Sequence, residues 1–132
     1  MADNMKLKVV APERIFYEGE ASFLEFTTTE GDMGIYPNHI PLTAIIAPGV
    51  LRIHENGQVK EAALLSGFIQ ILQEEVTILA ESVEWPDEID VERAQAAKAR
   101  AEERLANKTE AIDVARAELA LRRALVRMDI AK

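Results

Sequence analysis

Seven residues, Glu84-Trp85-Pro86-Asp87-Glu88-Ile89-Asp90, divide the chain into two kinds of sequence. All six glycines, every aromatic and every proline except Pro86 lie at or before Trp85. Beyond Pro86 there is no glycine, proline or aromatic, and alanine, arginine and glutamate predominate. The upstream part has the turn chemistry that many short strands need. The downstream part is made of helix formers. The expected architecture is therefore mixed β and α, with residues 1–85 in an antiparallel β-sandwich and residues 86–132 in an antiparallel two-helix hairpin.

The upstream pattern supports strands. Met5, Leu7 and Val9 alternate with Lys6, Lys8 and Val10; Phe23, Glu25 and Thr27 with Leu24 and Phe26; Leu51 and Ile53 with Arg52 and His54; Val76 and Ile78 with Thr77 and Leu79. Period two over strand length means one face in and one face out. Glu18-Gly19, Glu30-Gly31, Pro48-Gly49 and Asn56-Gly57 read as the turns between runs, with Asn-Gly the strongest hairpin signal. Such spacing points to an antiparallel sandwich or barrel.

Downstream, Val91, Ala94, Ala97, Ala101 and Leu105 recur at helical steps. So do Ile112, Ala115, Leu119, Val126 and Ile130, with Leu121, Leu125 and Met128 widening the stripe. Asp87 or Asp90 is placed to cap the first helix, Asn107 to close it and Thr109 to open the second. Alanine-rich helices bury little apolar area, so the hairpin is expected to be marginal and suited to movement.

Composition excludes several functions. The chain has 132 residues, 48% hydrophobic and 29% charged, which suits one ordinary domain or a small domain with an appendage. Without cysteine there are no disulfides or thiolate metal sites, and two separated histidines, His39 and His54, do not suggest a metal centre. No apolar run reaches about 18 residues, so no membrane-spanning segment is expected. The polar start, Met-Ala-Asp-Asn-Met-Lys, does not read as a secretory signal, which favours a cytoplasmic protein. Residues 1–86 carry five basic and thirteen acidic side chains, whereas residues 87–132 carry ten of each. An acidic sandwich repels nucleic acid.

Two constellations carry possible chemistry. Asp32 and His39 lie in the proline-braced loop Gly31–Leu42 and could form the acid–base pair of a small hydrolase. No nucleophile accompanies them, so His39 reads better as a tie to backbone carbonyls. The second constellation is cationic. In a hairpin folded about residue 108, Arg93 faces Arg123 and Arg100 faces Arg116, with Arg127 one turn from Arg123. Ordinary pairing with Glu92, Glu102, Glu103 and Glu118 along solvated faces explains such charges. A polyphosphate held by several guanidinium forks also explains them.

The loop Gly31–Leu42, Ser66-Gly67-Phe68, Ile89-Asp90-Val91-Glu92-Arg93-Ala94 and Arg116-Ala117-Glu118-Leu119-Ala120-Leu121-Arg122-Arg123-Ala124 together resemble the bacterial epsilon subunit of the rotary proton-translocating (F-type) ATP synthase. The resemblance spans essentially the whole chain. It implies a ten-stranded sandwich that binds the gamma subunit beside the membrane rotor ring of c subunits, at the cytoplasmic face of the bacterial membrane. It implies a non-catalytic subunit that couples proton transport to ATP synthesis. Its hairpin would fold on the sandwich or extend to the catalytic alpha and beta subunits and inhibit ATP hydrolysis. ATP, with or without Mg²⁺, would be a regulatory ligand of the folded hairpin, and no catalytic cofactor or metal is implied. By the same resemblance the ATP site comprises Glu84, Ile89, Asp90, Arg93, Ala94, Arg100, Arg123 and Arg127. On electrostatic grounds, Arg116, Arg122, Arg123 and Arg127 of the second helix are expected to grip acidic segments of the catalytic subunits when the hairpin is extended.

Overall fold

A computed structural model describes residues 4–107 and 111–131. The strands are β1 (Met5–Val10), β2 (Ile15–Ala21), β3 (Phe23–Thr28), β4 (Gly31–Ile35), β5 (Leu42–Ile46), β6 (Gly49–Glu55), β7 (Gln58–Ile71) and β8 (Glu75–Glu84). A single 3-10 turn, Pro86–Glu88, leads into helices α1 (Val91–Ala106) and α2 (Ala111–Ile130). The expected sandwich followed by two helices is the observed fold.

Alternation decides which side chains enter the sandwich. Met5, Leu7 and Val9 of β1, Leu24 and Phe26 of β3, Leu51 and Ile53 of β6, and Val76 and Ile78 of β8 are all buried in one core. The hairpin between β6 and β7 turns at Asn56 and Gly57, whose φ values of 50° and 77° are both positive, as a tight primed turn requires.

The long strand β7 joins the two layers. Its first part pairs with β6 and its last part with β5, with register shifts around Leu64, Ser66 and Gly67 where it meets β8. Eight strands are present among the described residues, not the ten expected, because β7 and β8 each run unbroken through that irregularity. Not every ladder is antiparallel. β1 runs parallel to β8, which is possible because their ends are far apart in sequence and no hairpin constrains them.

Glu18-Gly19 is not a turn. It lies inside β2, with Gly19 opposite Leu7, and the chain reverses earlier, where Ala11 N–H donates to the Arg14 carbonyl at 2.9 Å. The glycine is there for space, since a Cβ on it would sit 2.7 Å from the Tyr17 hydroxyl.

Tyr17 itself gives a pH prediction. Burial, with the Glu55 carboxylate beside it, pushes its phenol up to about 12. The fold keeps the proton where the unfolded chain releases it. Stability should thus be full below the ordinary tyrosine range and fall as pH rises from about 10 towards 12. Urea titrations across that range should show the decline, and Tyr17→Phe should flatten it.

A second apolar cluster docks the hairpin. Residues Ala62, Ala63, Leu64 and Leu65 of β7 are all buried, which a strand with one wet face would not allow. Ala62 and Leu64 belong to the sandwich core. Ala63 and Leu65 pack instead with Ile89 and Ile130, flanked by Val50, Val126 and Ala131.

The helices meet along alanines. Ala94 and Ala101 of α1 and Ala117 and Ala124 of α2 are buried. The α2 stripe differs from the expected one, since Ala115 and Leu119 are exposed. Small side chains let the two backbones approach, and the bulkier Leu119 is left at the rim. Asp90 caps α1, its Oδ1 accepting from the Arg93 N–H at 3.1 Å, and Asn107 closes it. The cap expected at Thr109 lies outside the described residues.

Candidate functional site

Where β8 ends, Glu84 points from the sandwich to α2. Its Oε1 accepts from Arg127 Nε at 2.6 Å, and each side chain is about 30% exposed (30% and 29%). The pair joins residues 43 positions apart and lies at the junction of the two parts. Ile89 is buried beside Ile130, and Ala94 is buried between the helices. Asp90 and Arg93 are exposed at the start of α1 and share the capping bond.

The remaining arginines are distributed along the hairpin. Arg100 lines a groove with Glu103, Arg104, Asn107, Asp113 and Arg116, so the expected neighbours Arg100 and Arg116 are brought together. This groove lies about 15 Å along α1 from Asp90, at 1.5 Å per residue. Arg122 and Arg123 line a different groove, against Thr27–Thr29, Pro48 and Ser66 of the sandwich. Thus Glu84 and Arg127 meet directly, Arg100 and Arg116 share one groove, and Arg122 and Arg123 share another.

Asp32 and His39 turn to different partners. Asp32 Oδ1 accepts from Thr27 Oγ1 at 2.7 Å, whereas His39 Nδ1 donates to the Ile40 carbonyl at 2.6 Å. The expected tie to backbone is what His39 makes. His54 is engaged elsewhere, with Nε2 2.8 Å from Glu25 Oε2. Among the described residues no group of three His, Cys, Asp or Glu side chains is arranged to hold a metal, and no helix is long and apolar enough to cross a membrane.

One contact at the seam is invisible in the sequence. Arg14, just before β2, forks onto Glu88, with Nη1–Oε2 and Nη2–Oε1 both 2.8 Å. Glu88 Oε1 also accepts from the Trp85 N–H at 2.9 Å. The Trp85 ring stacks on Phe16 at 4.2 Å between centroids and 19° between planes, and the Arg14 guanidinium lies 5.0 Å from the centre of the same Phe16 ring. The Arg14 hydrogen bonds, with that from the Trp85 N–H, hold the Glu88 carboxyl below its ordinary value, and Glu88 in turn raises Arg14. This fork is favoured above the ordinary carboxylate range and is lost as pH falls through the depressed value.

The Glu84–Arg127 pair joins the sandwich to α2, and the Arg14 clamp holds the turn that precedes α1. The family model for the ATP synthase delta/epsilon chain beta-sandwich domain matches residues 4–86. That for the long alpha-helix domain matches residues 87–132. The chain belongs to the ATP synthase delta/epsilon family. Among its relatives, the ATP synthase epsilon chain of Caldanaerobacter subterraneus is 48% identical over 132 residues, covering 99% of this chain and 96% of the relative. That of Clostridium novyi is 46% identical, covering 98% and 99%. A chain in the Euglena gracilis mitochondrial ATP synthase OSCP/F1/c-ring structure superposes with a TM-score of 0.79, at 22% identity, over 92% of this chain and 78% of that one. This last likeness is one of fold.

Proposed function

We propose that this epsilon-family chain is a non-catalytic regulatory subunit of the central stalk. Its sandwich docks on the gamma subunit and the c-subunit rotor ring, at the cytoplasmic face of the bacterial membrane, where it helps couple proton transport to ATP synthesis. Its hairpin leaves the sandwich to contact the alpha and beta subunits and restrain ATP hydrolysis. ATP, with or without Mg²⁺, favours the folded hairpin. The observation that carries this reading is how little holds the hairpin down. A compact apolar cluster built on Ala63, Leu65, Ile89 and Ile130, and the Glu84–Arg127 pair, make the junction. A partly exposed ion pair contributes about 1 kcal/mol or less. Such an element can have two positions, and a ligand that binds one of them shifts the population by its differential affinity.

The sandwich offers a docking surface. Ile45, Phe68 and Leu79 are cross-strand neighbours on β5, β7 and β8 and are 63%, 42% and 42% exposed. A row of large apolar side chains on one sheet face fits a protein partner. On this reading Asp90, with backbone near Ile89, meets the base end of the ATP site, and Glu84, Arg93 and Ala94 belong to the same site at the seam. Arg100, Arg123 and Arg127 then serve the phosphates, which requires Arg127 to share or exchange Glu84 and Arg100 and Arg123 to turn from their separate grooves to one site. Arg116, Arg122, Arg123 and Arg127 face acidic segments of the catalytic subunits when the hairpin is extended.

Calorimetric titration of the full chain with ATP, with and without Mg²⁺, tests the site. Binding by the natural chain and loss of binding in an Asp90→Ala, Arg93→Ala double variant is the expected result. Absence of binding at millimolar ATP would leave Asp90 a helix cap only. In the assembled synthase, removal of residues 87–132 should preserve assembly with gamma and relieve inhibition of hydrolysis. Unchanged inhibition would refute the arm.

A further inference from the structure

A mobile hairpin needs a pivot, and the seam supplies two very different stretches of backbone. Trp85–Glu88 is held from three directions. The Arg14 fork grips Glu88 with two charge-assisted hydrogen bonds, the geometry that gives an arginine–carboxylate pair its specificity. Phe16 stacks on Trp85 from β2, and the Trp85 N–H closes back onto Glu88. Pro86 fixes its own φ at the first position of the 3-10 turn. These contacts run to β2 and to the turn before it, which lie in the sandwich. None of them reaches α1 or α2.

Ile89 and Asp90 are different. Both are extended, with φ/ψ of −76°/128° and −85°/98°. The last bond of the 3-10 turn is Ile89 N–H to the Pro86 carbonyl, and the first of α1 is Ala94 N–H to the Asp90 carbonyl. Rotation about ψ of Ile89 and φ of Asp90 therefore breaks neither hydrogen-bond system. What opposes it is side-chain packing, that of Ile89 and Ile130 on Ala63 and Leu65, and the Glu84–Arg127 pair.

We infer that Arg14 is a positioning residue that holds Trp85–Glu88 on the sandwich as a fixed stub, so that the hairpin pivots at Ile89–Asp90 and moves without disturbing the seam before it. This inference rests on the mobile-arm reading above. It adds that the compositional break and the mechanical hinge are different places, separated by one turn of clamped chain. It also gives a residue 74 positions away in sequence control over the direction in which the arm leaves.

Trp85 is the single tryptophan and the chain has no cysteine, so two independent reporters are available in the full-length protein. Spin labels at Gln58→Cys and Glu118→Cys report the hairpin, and acrylamide quenching of Trp85 reports the stub. An Arg127→Glu, Ile130→Glu pair of changes drives release. The expected result is a label separation greater by roughly 10 Å or more, a third of the about 30 Å length of α2, with Trp85 quenching unchanged. Widening accompanied by an opened Trp85 would overturn the fixed stub while leaving the mobile arm standing. Labels that do not separate would overturn the mobile arm and the pivot together. In the otherwise natural chain, Arg14→Ala, or the milder Glu88→Gln, should raise the quenching constant roughly twofold as the half-buried ring opens to water. Quenching that stays at its natural value in both variants would refute the role of Arg14.

Discussion

Gly67→Ala is expected to cost about 3 kcal/mol or more, combining roughly 1–3 kcal/mol of backbone strain with a similar overpacking term. Gly67 has φ of +134°, a region that side-chain-bearing residues rarely adopt. An added Cβ would lie 2.1 Å from the Leu79 carbonyl oxygen and 2.9 Å from the Ala80 Cα, both backbone atoms of the paired strand β8. Neither can swing aside as the end of a flexible side chain can. The position is also where β7 passes from its β6 pairing to its β5 pairing, so a local shift propagates into both layers. At this chain length the loss corresponds to a melting temperature lower by roughly 10 °C or more. Far-ultraviolet circular dichroism on heating measures it. A Gly67→Ala variant melting within a degree or two of the natural chain would show that β8 can retreat here.

How much of this was legible depends on sequence separation. Asn56-Gly57 announces its turn because both positive φ values reside in two adjacent residues. A cap by Asp87 or Asp90 is announced because a cap oxygen and its N–H partner lie three residues apart, and Asp90 is the one that takes it, accepting from the Arg93 N–H. Alternation in β1, β3, β6 and β8 gives the core, since period two needs no knowledge of partners. Gly19 misleads because glycine serves two purposes. It permits turns, and it also makes room inside a strand for a neighbour such as Tyr17. The continuous apolar run Ala62–Leu65 was a readable sign that β7 is covered on both faces, and hence a sign of where the hairpin docks. The Arg14–Glu88 fork was not readable, because nothing local to either residue specifies a partner 74 positions away. The arginines show both outcomes. Hairpin geometry brings Arg100 and Arg116 to one groove as expected, but Arg127 turns to a strand residue, Glu84, that helix periodicity alone does not place.

Ile130→Glu should release the hairpin and leave the sandwich intact. Ile130 is 7% exposed and packs in a cluster separate from the sandwich core. Removing its apolar contacts costs about 2–5 kcal/mol by analogy with buried isoleucine truncation. A carboxylate placed among Ala63, Leu65 and Ile89 adds a desolvation penalty and so cannot remain seated. Met5, Leu7, Leu24, Leu51 and Ile78 do not belong to that cluster, so the melting of the β-rich part should change little. Spin labels on the sandwich and α2 should separate, whereas Ile130→Ala should produce only partial separation, because alanine removes apolar contacts without placing a charge in the cluster. On the regulatory reading, a synthase carrying Ile130→Glu should hydrolyse ATP more slowly, since the arm is freed for the catalytic subunits. Added ATP should relieve that inhibition less than it does for the natural chain. If separation occurs and hydrolysis is unaffected, the arm is mobile without being inhibitory, because the same substitution tests the docking cluster and its consequence by different measurements.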